Sequence, residues 1–435
     1  MQLSLTTPIR AAYVHLPFCR RRCHYCDFPI QVVGSKPGAA DVAAEKYCEL
    51  LLREIRATAA SMGSTAAAAK AATAGPLRSL YFGGGTPSLT PPPLLRNVID
   101  ALRETHGLDP SGCEVTLEMD PGTFDEARLA AFLDAGVTRA SVGVQSFDDE
   151  LLETAGRSHS VADVDDALRT LLRAADAPGS PLHSISVDLI GGLPKQTRAS
   201  WRRSLEAAAQ CGAHHVSVYD LQVEQRTAFG RWFDAGTLAL PGESVAADMV
   251  RDASAALGAA GLERYEVSNF ARPGHRSQHN QAYWRNEPFW AYGLGATSHV
   301  AGRRLARPRT MRGYEGFVEE LEADGLAAVH ASHGAEHEVG RDALTTRLML
   351  ALRTREGVDL GEISREFGEE LGGAAASACE DAAAELPADW IDTSGRDALR
   401  LSDPEGMLFS NDAIATVFAR LDERLDGEED EAGDR

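Results

Sequence analysis

Three cysteines in one short loop constrain this chain most. Cys19, Cys23 and Cys26 sit in the run Tyr13-Val-His-Leu-Pro-Phe-Cys-Arg-Arg-Arg-Cys-His-Tyr-Cys-Asp-Phe28. A CxxxCxxC loop can wrap three thiolates around one face of a four-iron, four-sulfur cube, whereas electron-transfer clusters of that kind take four cysteines. The next thiol, Cys48, lies beyond a loop rich in Gly and Pro. Three ligands leave one iron without a protein partner, and an open metal position is where chemistry occurs. Zinc is the alternative, because it accepts mixed ligands and could recruit His15 or His24. Zinc sites usually pair two ligand clusters, however, and no second CxxC follows. A disulfide fits less well in a long chain without a signal peptide whose other cysteines are scattered singly. Cys48, Cys113, Cys211 and Cys379 fall in apolar stretches and are expected as buried free thiols.

At 435 residues the chain has room for a large domain and a smaller one. A net charge of −21 argues against a nucleic-acid partner, since phosphate binding needs a basic surface. No apolar stretch is long enough to span a bilayer. Single thiols and a labile cluster suit a reducing compartment, so the expected location is the cytoplasm or, in a eukaryote, the plastid stroma or mitochondrial matrix. The first ten residues are too short for a complete transit peptide.

Short β-like runs alternate with amphipathic helical runs through the first half, the pattern of βα units on a parallel sheet. Strands are expected near Ala12–His15, Ser79–Phe82, Glu114–Glu118, Arg139–Val144, Ser184–Ile190 and His214–Tyr219, with helices between them. One helix is expected to start at Thr90 as N-cap, with Pro91 in its first turn. Residues 57–75 are a low-complexity run of Ala, Ser, Thr and Gly, read as a surface insertion. After Asp220 the rhythm weakens into a polar, aromatic-rich stretch, Ser268–His299. From about Met311 the pattern is helical, with a short strand pair near Ile391–Leu401 and a last helix near Ser410–Leu425. The acidic residues 426–435 are expected to be a disordered tail.

The strand ends carry the chemistry. Functional residues of a βα barrel gather in the loops at the carboxyl ends of its strands. Here the Cys loop follows the first strand and Gly83-Gly84-Gly85-Thr86-Pro87 the second. Glu118 ends the third, Gln145 the fourth, Asp188 lies near the end of the fifth, and Tyr219 and Asp220 close the sixth. Polar groups on buried strands are costly unless partnered, so their joint placement points to a site. The triple glycine lacks the lysine of a phosphate loop, so close backbone approach to a ligand is the favoured reading and a tight turn the plainer one.

CxxxCxYC after a first strand, then GGGTP, then polar strand ends, resembles the radical S-adenosylmethionine (SAM) superfamily. The resemblance covers about the first half. It implies an α/β fold, an incomplete (β/α)6 barrel over residues 1–300, with a smaller helical, winged-helix-like domain over 311–425. It implies a [4Fe–4S] cluster on Cys19, Cys23 and Cys26 and SAM chelating the open iron, so that an electron passed through the cluster splits the sulfonium. Tyr25 would pack beside the adenine, and Gly84, Gly85 and Thr86 would face the methionyl amine. Tyr13, Glu118, Gln145, Arg157 and Asp188 would line the SAM pocket.

Within that superfamily, Tyr-Val-His-Leu-Pro-Phe-Cys resembles the branch of the coproporphyrinogen dehydrogenase HemN and the heme chaperone HemW. Asp27 and Phe28 leave no CxC ending, few residues stand where HemN has an N-terminal arm, and His279-Asn-Gln-Ala-Tyr-Trp284 matches the HNxxYW signature of HemW. Gly191-Gly192 departs from the Tyr-Gly of many relatives. The resemblance thus implies heme binding and delivery to a recipient hemoprotein, with a reduced ferredoxin or flavodoxin-like electron donor. The rival is oxidative decarboxylation of coproporphyrinogen III; an interaction protein with a vestigial cluster is a third class. Imidazole ligates heme iron and aromatics suit a flat macrocycle, so His279 is a candidate heme ligand with Tyr283 and Trp284 beside it. Equally, this motif could brace the domain junction.

Overall fold

The computed structural model describes residues 8–36, 38–62, 76–109, 111–334, 336–394 and 398–433, so most of the expected low-complexity insertion lies outside the described residues. Six strands, β1 (Ala11–Leu16), β2 (Ser79–Gly84), β3 (Glu114–Met119), β4 (Arg139–Gln145), β5 (Ser184–Gly191) and β6 (His215–Asp220), lie side by side in chain order and all parallel. Alternation along each strand divides the sheet into two faces. Val14, Leu80, Phe82, Val115, Leu117, Val142, Val187 and Val216 are buried apolar residues of one large core. Tyr13, Tyr81, Glu118, Ser141, Asp188 and Ser217 occupy the alternate positions, and so the inner face is polar.

Helices α1 (Ala39–Ser61), α2 (Pro92–His106), α3 (Glu126–Ala135), α4 (Val161–Asp176) and α5 (Arg198–Gln210) connect successive strands. Their starts follow capping chemistry: Asp125 accepts from Arg128 N, while Ser160 with Asp163 and Thr197 with Ser200 form reciprocal capping boxes. The expected cap at Thr90 is wrong. The helix begins at Pro92 with an extended Pro91 at the N-cap, because a residue preceding proline is driven out of the helical region. Thr90 instead closes the short 3₁₀ turn Pro87–Leu89.

The polar, aromatic-rich stretch extends the six parallel strands at both edges. β7 (Asn269–Ala271) pairs antiparallel with β6, and β8 (Phe289–Tyr292) pairs parallel with β1. Strands Thr297–Val300 and Arg303–Ala306 extend that edge antiparallel. Runs of three or four residues are too short to display a period, which is why the sequence hides them. Helix α6 (Met311–Ser332), expected in the C-terminal domain, instead lays Tyr314, Phe317, Val318 and Leu321 into the large core.

A second core, with Leu344, Leu348, Ile363, Ala378, Val417 and Leu421, holds together Arg341–Ala351, Leu360–Glu385 and Ser410–Gly433. Val358–Asp359 pairs with Ala398–Leu399, while Ile391 and Leu401 share a single bridge. The last helix spans Ser410–Gly433 and so runs over part of the stretch expected as a tail. Among the described residues no helix is long and apolar enough to cross a membrane.

Candidate cofactor site at the strand ends

The Cys loop leaves β1 and is stapled to the turn after β2. Gly85 N donates to Leu16 O (2.9 Å) and Thr86 N to Phe18 O (2.6 Å). Arg22 ties the loop's far end by donating to Cys26 O and Phe28 O, both at 3.1 Å. The loop closes over a cavity of about 460 Å³ lined by Cys19, Cys23, Tyr25, Cys26, Gly84, Gly85, Thr86, Glu118, Asp120, Gln145, Arg157 and Asp188. Eleven of the thirteen residues singled out above therefore converge on one space.

The glycines have a packing reason of their own. A Cβ on Gly83 would lie 2.9 Å from the rings of Tyr13 and Tyr81, and on Gly84 (φ +115°) 2.4 Å from His15. On Gly85 it would meet Phe18 O and Pro17 C at 2.7 Å. Close approach is indeed the reason for the triple glycine, but the partner it approaches is the chain itself.

Two carboxylates sit inside the barrel beneath the loop. Glu118 accepts from Tyr81 OH (2.9 Å) and from Gly84 N (3.0 Å). Burial pushes its carboxyl up to about 7, and nearby Asp188 adds to the effect. Asp188, also raised by burial, accepts from Ser141 Oγ at 3.2 and 3.3 Å. Such a pair makes an electrostatic well for a cation, and SAM carries an ammonium and a sulfonium. Gln145 has φ 66°, a left-handed backbone in a non-glycine residue, where the register of β4 and β5 shifts. Backbone outliers of this kind cluster at functional sites.

Arg157 joins the loop to the barrel. It donates to Cys23 Sγ and Tyr25 OH, both 3.2 Å, and to Gly143 O (3.0 Å), and it forms a buried ion pair with Asp120. Sequence reasoning missed Asp120. The signal was available as the second carboxylate of Glu-Met-Asp-Pro, but nothing local distinguishes it from a turn residue. Tyr25 packs near Phe229 and Ile190.

Do these residues suit a cluster? Burial pushes the Cys19 thiol up to about 12 and raises Cys26, so the thiolates need a positive partner in the cavity. No described His, Cys, Asp and Glu side chains converge, three or more together, around a single ion. Three soft ligands lining one cavity suit several irons, each with its own cysteine. The histidines a zinc site would need are not available to the thiols. His15 bonds Tyr13 OH and Pro29 O, and His24 lines a different cavity from the one the cysteines line. The donor set fits an iron–sulfur cluster.

Two expected site residues lie elsewhere. Tyr13 sits deeper in the barrel, with its hydroxyl 3.2 Å from His15 Nδ1 and its ring stacked on Tyr81. His279, on the short helix Gln278–Trp284, is 1% exposed. Its Nδ1 meets Ser79 Oγ at 3.0 Å and its Nε2 meets Tyr283 OH at 2.8 Å. Its backbone N donates to Glu114 Oε1, and burial pushes the imidazole down to about 3. With both nitrogens engaged, His279 is a neutral brace between β2, β3 and the edge strands. Of the two readings the geometry favours the brace, within the barrel and not at the domain junction.

Comparison with known proteins agrees with this geometry. Residues 13–208 match the Radical SAM superfamily. The heme chaperone HemW of Synechocystis sp. is 37% identical over 428 residues, 95% of this chain and 97% of that one. HemW of Bacillus subtilis is 32% identical over 86% and 91% of the two chains. The bovine mitochondrial radical S-adenosyl methionine domain-containing protein 1 is 36% identical over 80% and 74%. The structure of Escherichia coli coproporphyrinogen III oxidase HemN superposes with a TM-score of 0.74 over 94% and 90%, at 19% identity, a likeness of fold. A loop of three cysteines, the polar strand ends it covers and near full-length kinship agree: the chain belongs to the HemW family of the radical SAM superfamily.

Proposed function

We propose that this protein binds heme and passes it to a recipient hemoprotein, with a [4Fe–4S] cluster and SAM resident at the strand ends. The observation that carries the reading is the 37% identity, across 95% of the chain, to a protein named as a heme chaperone. Asp27 and Phe28, where the dehydrogenase loop carries a further cysteine, support it.

Cys19, Cys23 and Cys26 would hold the cluster, and Glu118, Asp188, Gln145 and Tyr25 would hold SAM. When bound, the pair supplies one-electron reduction of a sulfonium. The chain's own residues do the rest. Glu118, once ionised, neutralises an ammonium, and Arg157 holds Cys23 Sγ in place by donating to it. The loop, stapled at Gly85 and Thr86, covers the cavity and limits water.

The test is anaerobic reconstitution followed by titration with ferric heme. A shifted Soret band and transfer of the heme to an apo-hemoprotein are expected. A chain that leaves the heme spectrum unchanged discards the chaperone reading. Turnover of coproporphyrinogen III with SAM and a reductant would replace it with the dehydrogenase reading.

A further inference from the structure

Outside the barrel, against the back of the Cys loop, lies a second, more open cavity of about 790 Å³. We propose that this cavity is the heme seat and that His24 Nε2 is the axial ligand to the heme iron. The inference rests on the heme-chaperone reading and deepens it.

The imidazole is held as an iron ligand needs to be held. His24 N donates to Ala155 O (3.0 Å), which anchors the backbone, and Nδ1 lies 2.9 Å from the carbonyl oxygen of Thr154. A carbonyl accepts and never donates, so the proton sits on Nδ1 and the Nε2 lone pair is free for metal. Among the described residues Nε2 makes no hydrogen bond. A Cβ on Gly156 would lie 2.9–3.0 Å from Cδ2, Nε2 and Cε1 alike. Near-equal distances to three ring atoms place Gly156 over the ring face and not in line with Nε2. Trp232 meets the ring at 4.8 Å with an interplanar angle of 67°. By contrast His15, His106, His215 and His279 each spend both ring nitrogens on partners.

The lining suits a flat apolar macrocycle. Trp232, Leu238, Leu240, Pro194 and Pro241 form walls beside His24. Trp232 remains 39% exposed and the neighbouring Phe233 49%, so this segment leaves aromatic surface open to solvent. Lys195 supplies a cation for a propionate. Its present partner Glu150 lies 3.2 Å away with both side chains largely exposed, so exchanging it costs little. Glu150 and Glu153 also line the space, so the propionate that does not meet Lys195 has to point to solvent.

The segment carrying Trp232 is itself tied to the cluster loop, since Phe229 N donates to His24 O at 2.9 Å. His24 stands between Cys23 and Tyr25, so filling the cluster site and presenting the imidazole involve one loop.

Ferric heme titrated into the anaerobically reconstituted full-length protein tests the assignment. His24→Ala is expected to weaken heme binding at least tenfold and to abolish the imidazole-ligated Soret and visible bands. Leu240→Glu, which lies outside the cluster loop, is expected to weaken binding comparably with iron and sulfide content unchanged. If His24→Ala also loses the cluster, Leu240→Glu decides. Wild-type affinity in either variant places the seat elsewhere and overturns this inference alone. A wild-type chain that binds no heme overturns the chaperone reading itself.

Discussion

Adjacent residues of α1 offer a sharp test of how burial sets the worth of charge. Glu54 forms an ion pair with Arg307 (2.8 Å) in which both side chains are 0% exposed. Its other oxygen accepts from Gly293 N (2.9 Å) and Tyr314 OH (2.6 Å). One carboxylate thus holds together α1, α6 and the turn after β8. Arg53, the preceding residue, also bridges α1 to α6 through Glu322, but there the side chains are 45% and 39% exposed. Glu54→Gln conserves volume, so it opens no cavity. It removes the countercharge of a buried guanidinium and sets an NH₂ against either Arg307 Nε or Gly293 N, both donors. Breaking such a pair costs about 3–5 kcal/mol, roughly two to three and a half powers of ten in the folding equilibrium. Ser298 Oγ and Leu305 O continue to accept from Arg307, which favours the lower end. Arg53→Gln should cost less than about 1 kcal/mol. Urea-unfolding midpoints of the two variants at equal slope measure the difference. Tyr47 OH donates to His15 O and accepts from Leu294 N, so the loosening reaches the base of the Cys loop, and iron retention should fall in Glu54→Gln. Equal shifts in the two variants would refute the reasoning.

Arg157→Met strands Asp120 without its cation and removes the donor to Cys23; about 3–5 kcal/mol of stability and much of the iron per chain should be lost, read by unfolding and iron analysis. Glu118 is raised from 4.5 to about 7, so between those values the folded state binds more protons than the unfolded. Stability without SAM should therefore fall as pH rises through that window, and Glu118→Gln should flatten the slope in unfolding measured from about pH 5 to about pH 8. His279→Ala leaves Ser79 and Tyr283 unpartnered around a cavity, so the expected cost is about 3 kcal/mol, with the heme Soret band unchanged. Loss of heme binding in a folded His279→Ala chain would restore that residue as the ligand.

Local pattern made much of this protein legible. The spacing of Cys19, Cys23 and Cys26 named the chemistry, because metal ligation is set by a few residues in one loop. Six strands of alternating character stood out because each is long enough to show its period, and Glu118, Gln145 and Asp188 stood out because polar residues end them. What tertiary structure alone decided depends on contacts between distant segments. Phe289–Tyr292 becomes a strand because β1 offers it a free edge, and Met311–Ser332 joins the large core because Tyr314, 260 residues from Glu54, packs there and bonds it. Asp120 becomes part of the site when barrel curvature brings Arg157 to it. His279 reads equally as ligand or brace in sequence, and the balance tips to brace once Ser79 and Tyr283 claim its nitrogens. A side chain's chemistry is written in its type, but its availability is settled by whichever groups the folded chain places against it.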